Sequence, residues 1–356
     1  MAGLSGRQLL SPAFEVLING QRLPQADCAY VSELEVDVSV TLPSMFTLAL
    51  GGADTQREDV PWLDEERFAI GRSIEVKLGY ENELSSVLKG EITCLESEFS
   101  TAHRAVLRVS GYDRRHRLMR GTKTRTFVQM KDSDIAGQIA SEANLRPDVV
   151  DSKIRHDYLL QNNQTNMEFL GERARLIHYE LSVDDRTLHF RPVANTDREA
   201  VKLTMERDLL AFYPRLSSCQ QVSTVTVRGW NPKDKRKIIG HAGSGDEESR
   251  MGGEHSDTSS VPTAFGRQET MVVDRPVMTQ EEADALAKSR YNKIGLTLIR
   301  GDGICWGRPD LHPGTVIKVE GVGKRFGGQY YVTSVVHRYS PHRGYHTHFE
   351  FERNAS

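Results

Sequence analysis

Apolar and polar residues alternate with period two through most of the first 112 positions. Residues 14–19 (FEVLIN) predict a strand, and Asn19-Gly20 a tight hairpin turn behind it. Within 30–40, Leu34, Val36, Val38 and Val40 face one way, and Glu33, Glu35, Asp37 and Ser39 the other. That is the pattern of a strand with one buried and one wet face. Residues 45–50, 73–80, 85–99 and 104–112 continue the series, interrupted by a polar loop at 51–64. Short antiparallel strands with frequent turns predict a barrel or sandwich.

The period then lengthens. Ile135, Ile139 and Ala143 recur at helical spacing and predict a helix over 134–143, with Asp132 or Ser133 as its N-cap and Asn144 and Pro147 at its end. Thr165 and Glu168 form a capping box for a second helix, 166–177, with Leu170, Ala174 and Ile177 on its inner face. A hairpin follows, with Tyr179, Leu181 and Val183 on one arm, Asp184-Asp185 at the turn, and Leu188 and Phe190 on the return. Alternation resumes at 222–230 and again at 296–300, 315–320, 330–339 and 346–351. A helix over 280–294 sits between, capped by Thr279 and Glu282 and closed by Gly295. Residues 231–268 are rich in Gly, Ser, Asp, Glu and Lys and predict a long mobile insertion.

The expected fold is therefore mainly β with an α+β middle. Residues 1–112 form a first β-barrel and 113–200 a small α+β domain. Residues 201–356 form a second β-barrel carrying the 231–268 insertion and the 280–294 helix. Without the insertion the two outer modules are similar in size, as two copies of one barrel would be.

Composition narrows the function. The chain has 356 residues, long enough for two or three domains, and a net charge of −3 from 46 basic and 49 acidic side chains. That balance argues against a dedicated nucleic-acid or membrane-surface binder. Cys28, Cys94, Cys219 and Cys305 are far apart and form no CxxC pair, so neither a zinc nor a redox motif is signalled, and three of them sit in strand-like runs as free thiols. The N-terminus has no signal-peptide core, and no apolar run approaches a membrane span, so synthesis in the cytosol is expected, with export inside a larger machine left open.

Candidate chemistry is sparse. His337, His342, His346 and His348 offer imidazoles near the end of the chain, and His346 and His348 share a strand face. No carboxylate stands at a ligand spacing from them, so a structural or surface role is expected and no metal is assigned. Arg114, Arg115, Arg117, Arg120, Lys123 and Arg125 form a dense basic run without interleaved aromatic residues, which reads as a solvated face or a pairing surface. Gly321-Val322-Gly323 with Gly327-Gly328 reads as a turn between strands. Asp184-Asp185 reads as a turn, not a catalytic carboxylate pair. There is no G-x-S-x-G, H-E-x-x-H or Walker motif. No catalytic residue and no cofactor site are assigned.

Three stretches together carry a resemblance: GYDRRHRLMRGTKTRTF, DSDIAGQIASEANL and QNNQTNMEFLGERARLIHYELSVDDRTLHF. With GDGICWGRPDLHPGTVIKVEGVGKRFGGQYYVTSVVHRY and GYHTHFEFER near the end, the chain resembles the phage late control protein D family. That family includes the hub part of VgrG proteins and the T-even phage baseplate hub. The resemblance spans about 14–353 and implies two tube-protein-like barrels per chain and a homotrimer, hence a ring of six barrels. Such a ring is an adaptor between a hexameric tail tube and a trimeric spike, touching other baseplate components, in an assembled phage tail or injection particle. Tyr112, Phe169 and Tyr330 would then keep the fold. VgrG chains continue into an OB-fold and β-helix spike, whereas no such pattern occurs here, so the spike is expected on a separate chain. Insertion 231–268 is expected to contact a neighbouring baseplate or sheath component. Two other readings stay open: a tail-associated glycan or peptidoglycan hydrolase using the terminal histidines, and a free-standing β-rich binding module.

Overall fold

The computed structural model describes residues 11–51, 62, 64–81, 83–99, 105–195, 201–249, 251, 266, 268–273 and 276–355. The first unit contains β1 (Pro12–Ile18), β2 (Gln21–Arg22), β3 (Val31–Ser39), β4 (Met45–Gly51), β5 (Ser73–Tyr80), β6 (Glu83–Glu98) and β7 (Val106–Asp113). A single-turn helix, α1 (Gln25–Cys28), lies between β2 and β3. The strands are antiparallel in the order β3-β4-β7-β6-β5-β1-β2. The alternation read in β3 is the observed one: Leu34 and Val36 are fully buried beside Phe46, Leu48, Val76 and Val109, while Glu33 stays exposed.

The middle unit opens with a 3₁₀ helix, Arg114–Met119. It continues through β8 (Lys123–Lys131), α2 (Asp132–Glu142), β9 (Arg146–Val149), β10 (Arg155–Gln164), α3 (Asn166–Leu176), β11 (Tyr179–Asp184) and β12 (Thr187–Pro192). Strands β8 and β10 pair as a ribbon, and β11 lies beside β12, which pairs parallel to β9. Ile135, Ile139, Phe169, Leu170, Leu188 and Phe190 fill its core. Thr165 and Glu168 do make the expected reciprocal cap. At α2 the expected cap is replaced. Asp132 lies inside the helix with its carboxylate turned to Arg173 and His156, and the Ser133 amide donates to Ser152 Oγ at 3.1 Å. Asn144, at positive φ, ends that helix as expected.

The remaining chain makes two units. β13 (Val201–Thr204), β14 (Leu209–Leu216), β18 (Ile299–Trp306), β19 (Val316–Glu320), β20 (Gly328–Ser340) and β21 (Gly344–Arg353) form one sheet in the order β13-β19-β20-β21-β18-β14. β15 (Thr224–Asn231), β16 (Arg236–Gly243) and β17 (Glu269–Val272) form another, with one face covered by α4 (Gln280–Leu296). So 236–243, expected within a mobile insertion, is a ladder strand: Ile238 and Ala242 alternate inward beneath α4. Residues 250, 252–265 and 267 of that stretch lie outside the described residues. Helix α4 runs on past Gly295 to Leu296, and the strand expected at 296–300 begins at Ile299. The glycine-rich turn between β19 and β20 carries one helical turn, α5 (Gly323–Phe326).

The two outer β units share one sheet. β20 is 13 residues long, and its first residues, Gly328–Tyr331, pair with β19. A register shift falls between Val332 and Ser334, and the residues from Ser334 to Tyr339 pair with β3. A bulge re-aims a strand locally. Here the redirected half of β20 continues the sheet into the first unit, giving thirteen hydrogen-bonded strands among the described residues.

Candidate functional site

The basic run expected as a solvated face or a pairing surface begins as an interior joint, while Arg120 and Lys123 farther along it are exposed. Asp113 ends β7, and the chain turns directly into the 3₁₀ helix that brings Arg114, Arg115, His116 and Arg117 under the first unit. Arg115 is 2% exposed. Its Nε donates to Asp113 Oδ2 at 2.9 Å, its Nη2 to the Ser39 carbonyl and Ser44 Oγ at 3.0 Å each, and its Nη1 to the Leu181 carbonyl at 3.3 Å. One guanidinium thus grips β3, the β3–β4 turn and β11. Asp113 also accepts from the Ser44 and Arg115 amides at 2.8 Å.

Glu91, on β6, anchors the rest. It accepts from Arg114 Nε at 3.2 Å, His116 Nε2 at 2.8 Å and Arg117 Nε at 3.0 Å. Burial pushes the Glu91 carboxyl up, but hydrogen bonds from Arg117 and His116 and the Arg117 and Arg114 charges override it and hold it at about 2. Arg114 also pairs with Asp185, so the Asp184-Asp185 turn is tied to the first unit. Arg125 lies on β8 and binds Glu142, Gln161 and Asn166, within the middle unit. The missing signal in this run was its acidic complement: Glu91, Asp113 and Asp185 balance three arginines only once β6, β7 and β11 are folded together.

A second joint fastens α4 to the middle unit. His156 is inserted between two carboxylates, with Nδ1 2.8 Å from Glu282 Oε1 on α4 and Nε2 3.1 Å from Asp132 Oδ2 on α2. Arg173, on α3, binds Asp132 at 2.5 and 3.0 Å. Burial pushes the imidazole down, but Asp132 and Glu282 outweigh it and hold His156 above its ordinary value. Burial likewise works against the Asp132 and Glu282 carboxylates, and their partners hold both below their ordinary values.

The terminal histidines do not converge. His337 is fully buried, with Nδ1 2.8 Å from Tyr345 Oη and 3.2 Å from Thr347 Oγ1, and burial pushes it down to about 3. His346 and His348 alternate to the opposite face of β21 from Thr347, and the His346 ring lies 5.3 Å from that of Trp306. His342 sits in the β20–β21 turn. Among the described residues no group of three or more His, Cys, Asp or Glu side chains is arranged to hold a metal ion. All four cysteines are free; Cys305 is buried, Cys219 exposed, and Cys28 and Cys94 half-buried. Tyr112 is 38% exposed, whereas Phe169 and Tyr330 are buried, so only the latter two are core positions.

A cavity of about 590 Å³ opens where the first unit, the β11–β12 hairpin and the 312–314 turn meet. Glu180, His189, Arg191 and His312 line it, and burial pushes the Glu180 carboxyl up to about 7 against the opposing Arg191 charge. Its walls mix both charge signs and come from three units, which fits a seam between rigid parts. Among the described residues, no helix is long and apolar enough to cross a membrane.

The fold recurs in solved structures. A 43 kDa tail protein of prophage MuSo2 from Shewanella oneidensis is 14% identical, covers 97% of this chain and 99% of its own, and superposes with a TM-score of 0.73. A tail protein from Neisseria meningitidis MC58 is 14% identical, with 97% of each chain covered and a TM-score of 0.68. An E. coli component of the type VI secretion system, itself structurally similar to the T4 tail proteins gp27 and gp5, is 13% identical over 96% of this chain and 77% of that one, with a TM-score of 0.62. The fold is thus shared with phage tail proteins and a type VI secretion component, in line with the late control protein D resemblance. No curated protein sequence matches. One family model does match, described as the Alg8 N-terminal domain, over residues 10–341, and the chain belongs to that family.

Proposed function

We propose that the protein is a structural baseplate hub of a contractile tail or injection particle, and not an enzyme. Three copies form a ring that joins a hexameric tail tube to a trimeric spike. The observation that carries this reading is the strand shared between the two outer β units: the redirected half of β20 pairs with β3 and fixes the units side by side. Two such units per chain give six around a threefold ring, which matches the symmetry of a hexameric tube. The fold shared with tail proteins supports the same reading. So does the chemistry of the interior, where charged groups are consumed in joints between units and the terminal histidines belong to a sheet and its turn. Other baseplate components are expected to contact the ring's periphery, and the finished protein resides in the assembled particle.

Tubes polymerised from the tail-tube protein made alongside this chain provide the test. The hub is expected to cap one tube end and to block subunit addition there, as seen by electron microscopy and sedimentation. Purified hub that leaves both ends growing would contradict the adaptor role.

A further inference from the structure

The sheet β16-β15-β17 is covered on one side only. Val225, Val227, Ile238 and Ala242 point into α4, and Gly240 lets the helix approach so closely that an added Cβ would collide with Ala283. The opposite parity of the same strands faces outward. Ladder pairing sets Trp230 beside Lys237 and Arg228 beside Ile239, while Met271 pairs with Thr226 on β15 and Val273 follows it. Trp230 and Ile239 are each 52% exposed, Met271 46% and Val273 64%. Half-exposed large apolar side chains clustered on one sheet face mark an interaction surface.

Around Trp230 and Ile239 the charge on this face is cationic. Arg228 and Lys237 stand among the apolar residues, and among the described residues no carboxylate pairs with either. Lys233, Lys235 and Arg236 extend the cationic edge through the β15–β16 turn, where Asp234 lies 3.4 Å from Arg236 and Lys233 reaches Asp157 at 2.6 Å. The acid on the face itself, Glu269, lies at the far end and accepts from Thr226 Oγ1 at 2.6 Å. A local cationic surface on a chain of net charge −3 calls for a complementary partner, because opposite charge steers association and like charge prevents it. Trp and Arg at the centre of a contact also contribute most of its strength.

We propose that the open face of β16-β15-β17 docks a partner protein through an acidic segment bearing apolar side chains, which lie on Trp230, Ile239 and Met271 while its carboxylates meet Arg228 and Lys237. The inference goes beyond the hub reading, and its test does not require assembled particles.

The test replaces Ile239 with the photoreactive residue p-benzoylphenylalanine in the full chain, within the cells that naturally make it, and identifies the cross-linked segment by mass spectrometry. The expected result is a cross-link to a net-negative segment of another protein. It should fall at least tenfold in the background Arg228→Glu with Lys237→Glu and persist with Arg228→Lys and Lys237→Arg. Both backgrounds alter exposed positions, so unchanged thermal melting serves as the folding control. Cross-linking to nucleic acid, to a second copy of this chain or to a basic segment would overturn the proposal. So would absence of any cross-link, or one insensitive to charge reversal.

Discussion

At the residue scale, the joint between the first and middle units depends on Arg115. Both members of the Arg115–Asp113 pair are nearly inaccessible, at 2% and 4% side-chain exposure. Removing one charge from such a pair leaves the other buried without compensation, which costs about 3–5 kcal/mol. Asp113→Asn is therefore expected to lower unfolding free energy by about that amount in denaturant titration, and a loss under ~1 kcal/mol would deny the joint its role. The arginines themselves were legible in the sequence as a dense run; the burial of Arg114 and Arg115 was not. A run of cations reads as a wet face whenever its counter-charges are distant, and Glu91 and Asp185 are 23 and 71 positions from Arg114. His156 and Glu282, 126 positions apart, were missed for the same reason. The clustered terminal histidines were the opposite case: near in sequence, they are split between two faces and a turn by strand alternation.

At the scale of elements, strong periodicity was enough to locate most of the first unit, helices α2 and α3, and the β11–β12 hairpin. It did not locate β8 and β10, whose strands KTRTFVQMK and RHDYLLQNNQ carry few buried apolar residues. Nor did it resolve β16, because RKIIGHAG buries only Ile238 and small residues beneath α4 and lies in a stretch of loop-like composition. Helix α4 is held to the middle unit through His156, and this joint is proton-dependent. His156 carries a raised value when folded, so its contribution is complete below the ordinary imidazole value of 6.5 and fades as pH rises through the folded value. Asp132 and Glu282 carry lowered values, so theirs is present above the ordinary carboxylate values of 3.8 and 4.5 and fades as pH falls through the folded ones. The joint is tightest between about 4.5 and 6.5. Amide exchange protection in α4 and β16 is expected to weaken as pH rises above that window, and His156→Gln should flatten the dependence. An equally steep decline in that variant would remove His156 from the account.

At the scale of the whole molecule, two β-rich outer modules were expected from the sequence as separate barrels, and their joining in one thirteen-stranded sheet was not legible. The bulge between Val332 and Ser334 leaves no mark on the alternation of β20, yet it changes which strand the next residues pair with. The consequence is mechanical: a shared ladder ties the outer units together, and on the hub proposal three chains would place six such units. The most direct measurement is the solution mass, by light scattering, of this chain co-expressed with its candidate spike protein. The hub account predicts a complex containing three copies of each. A stable monomer of about 40 kDa with no spike bound would contradict it.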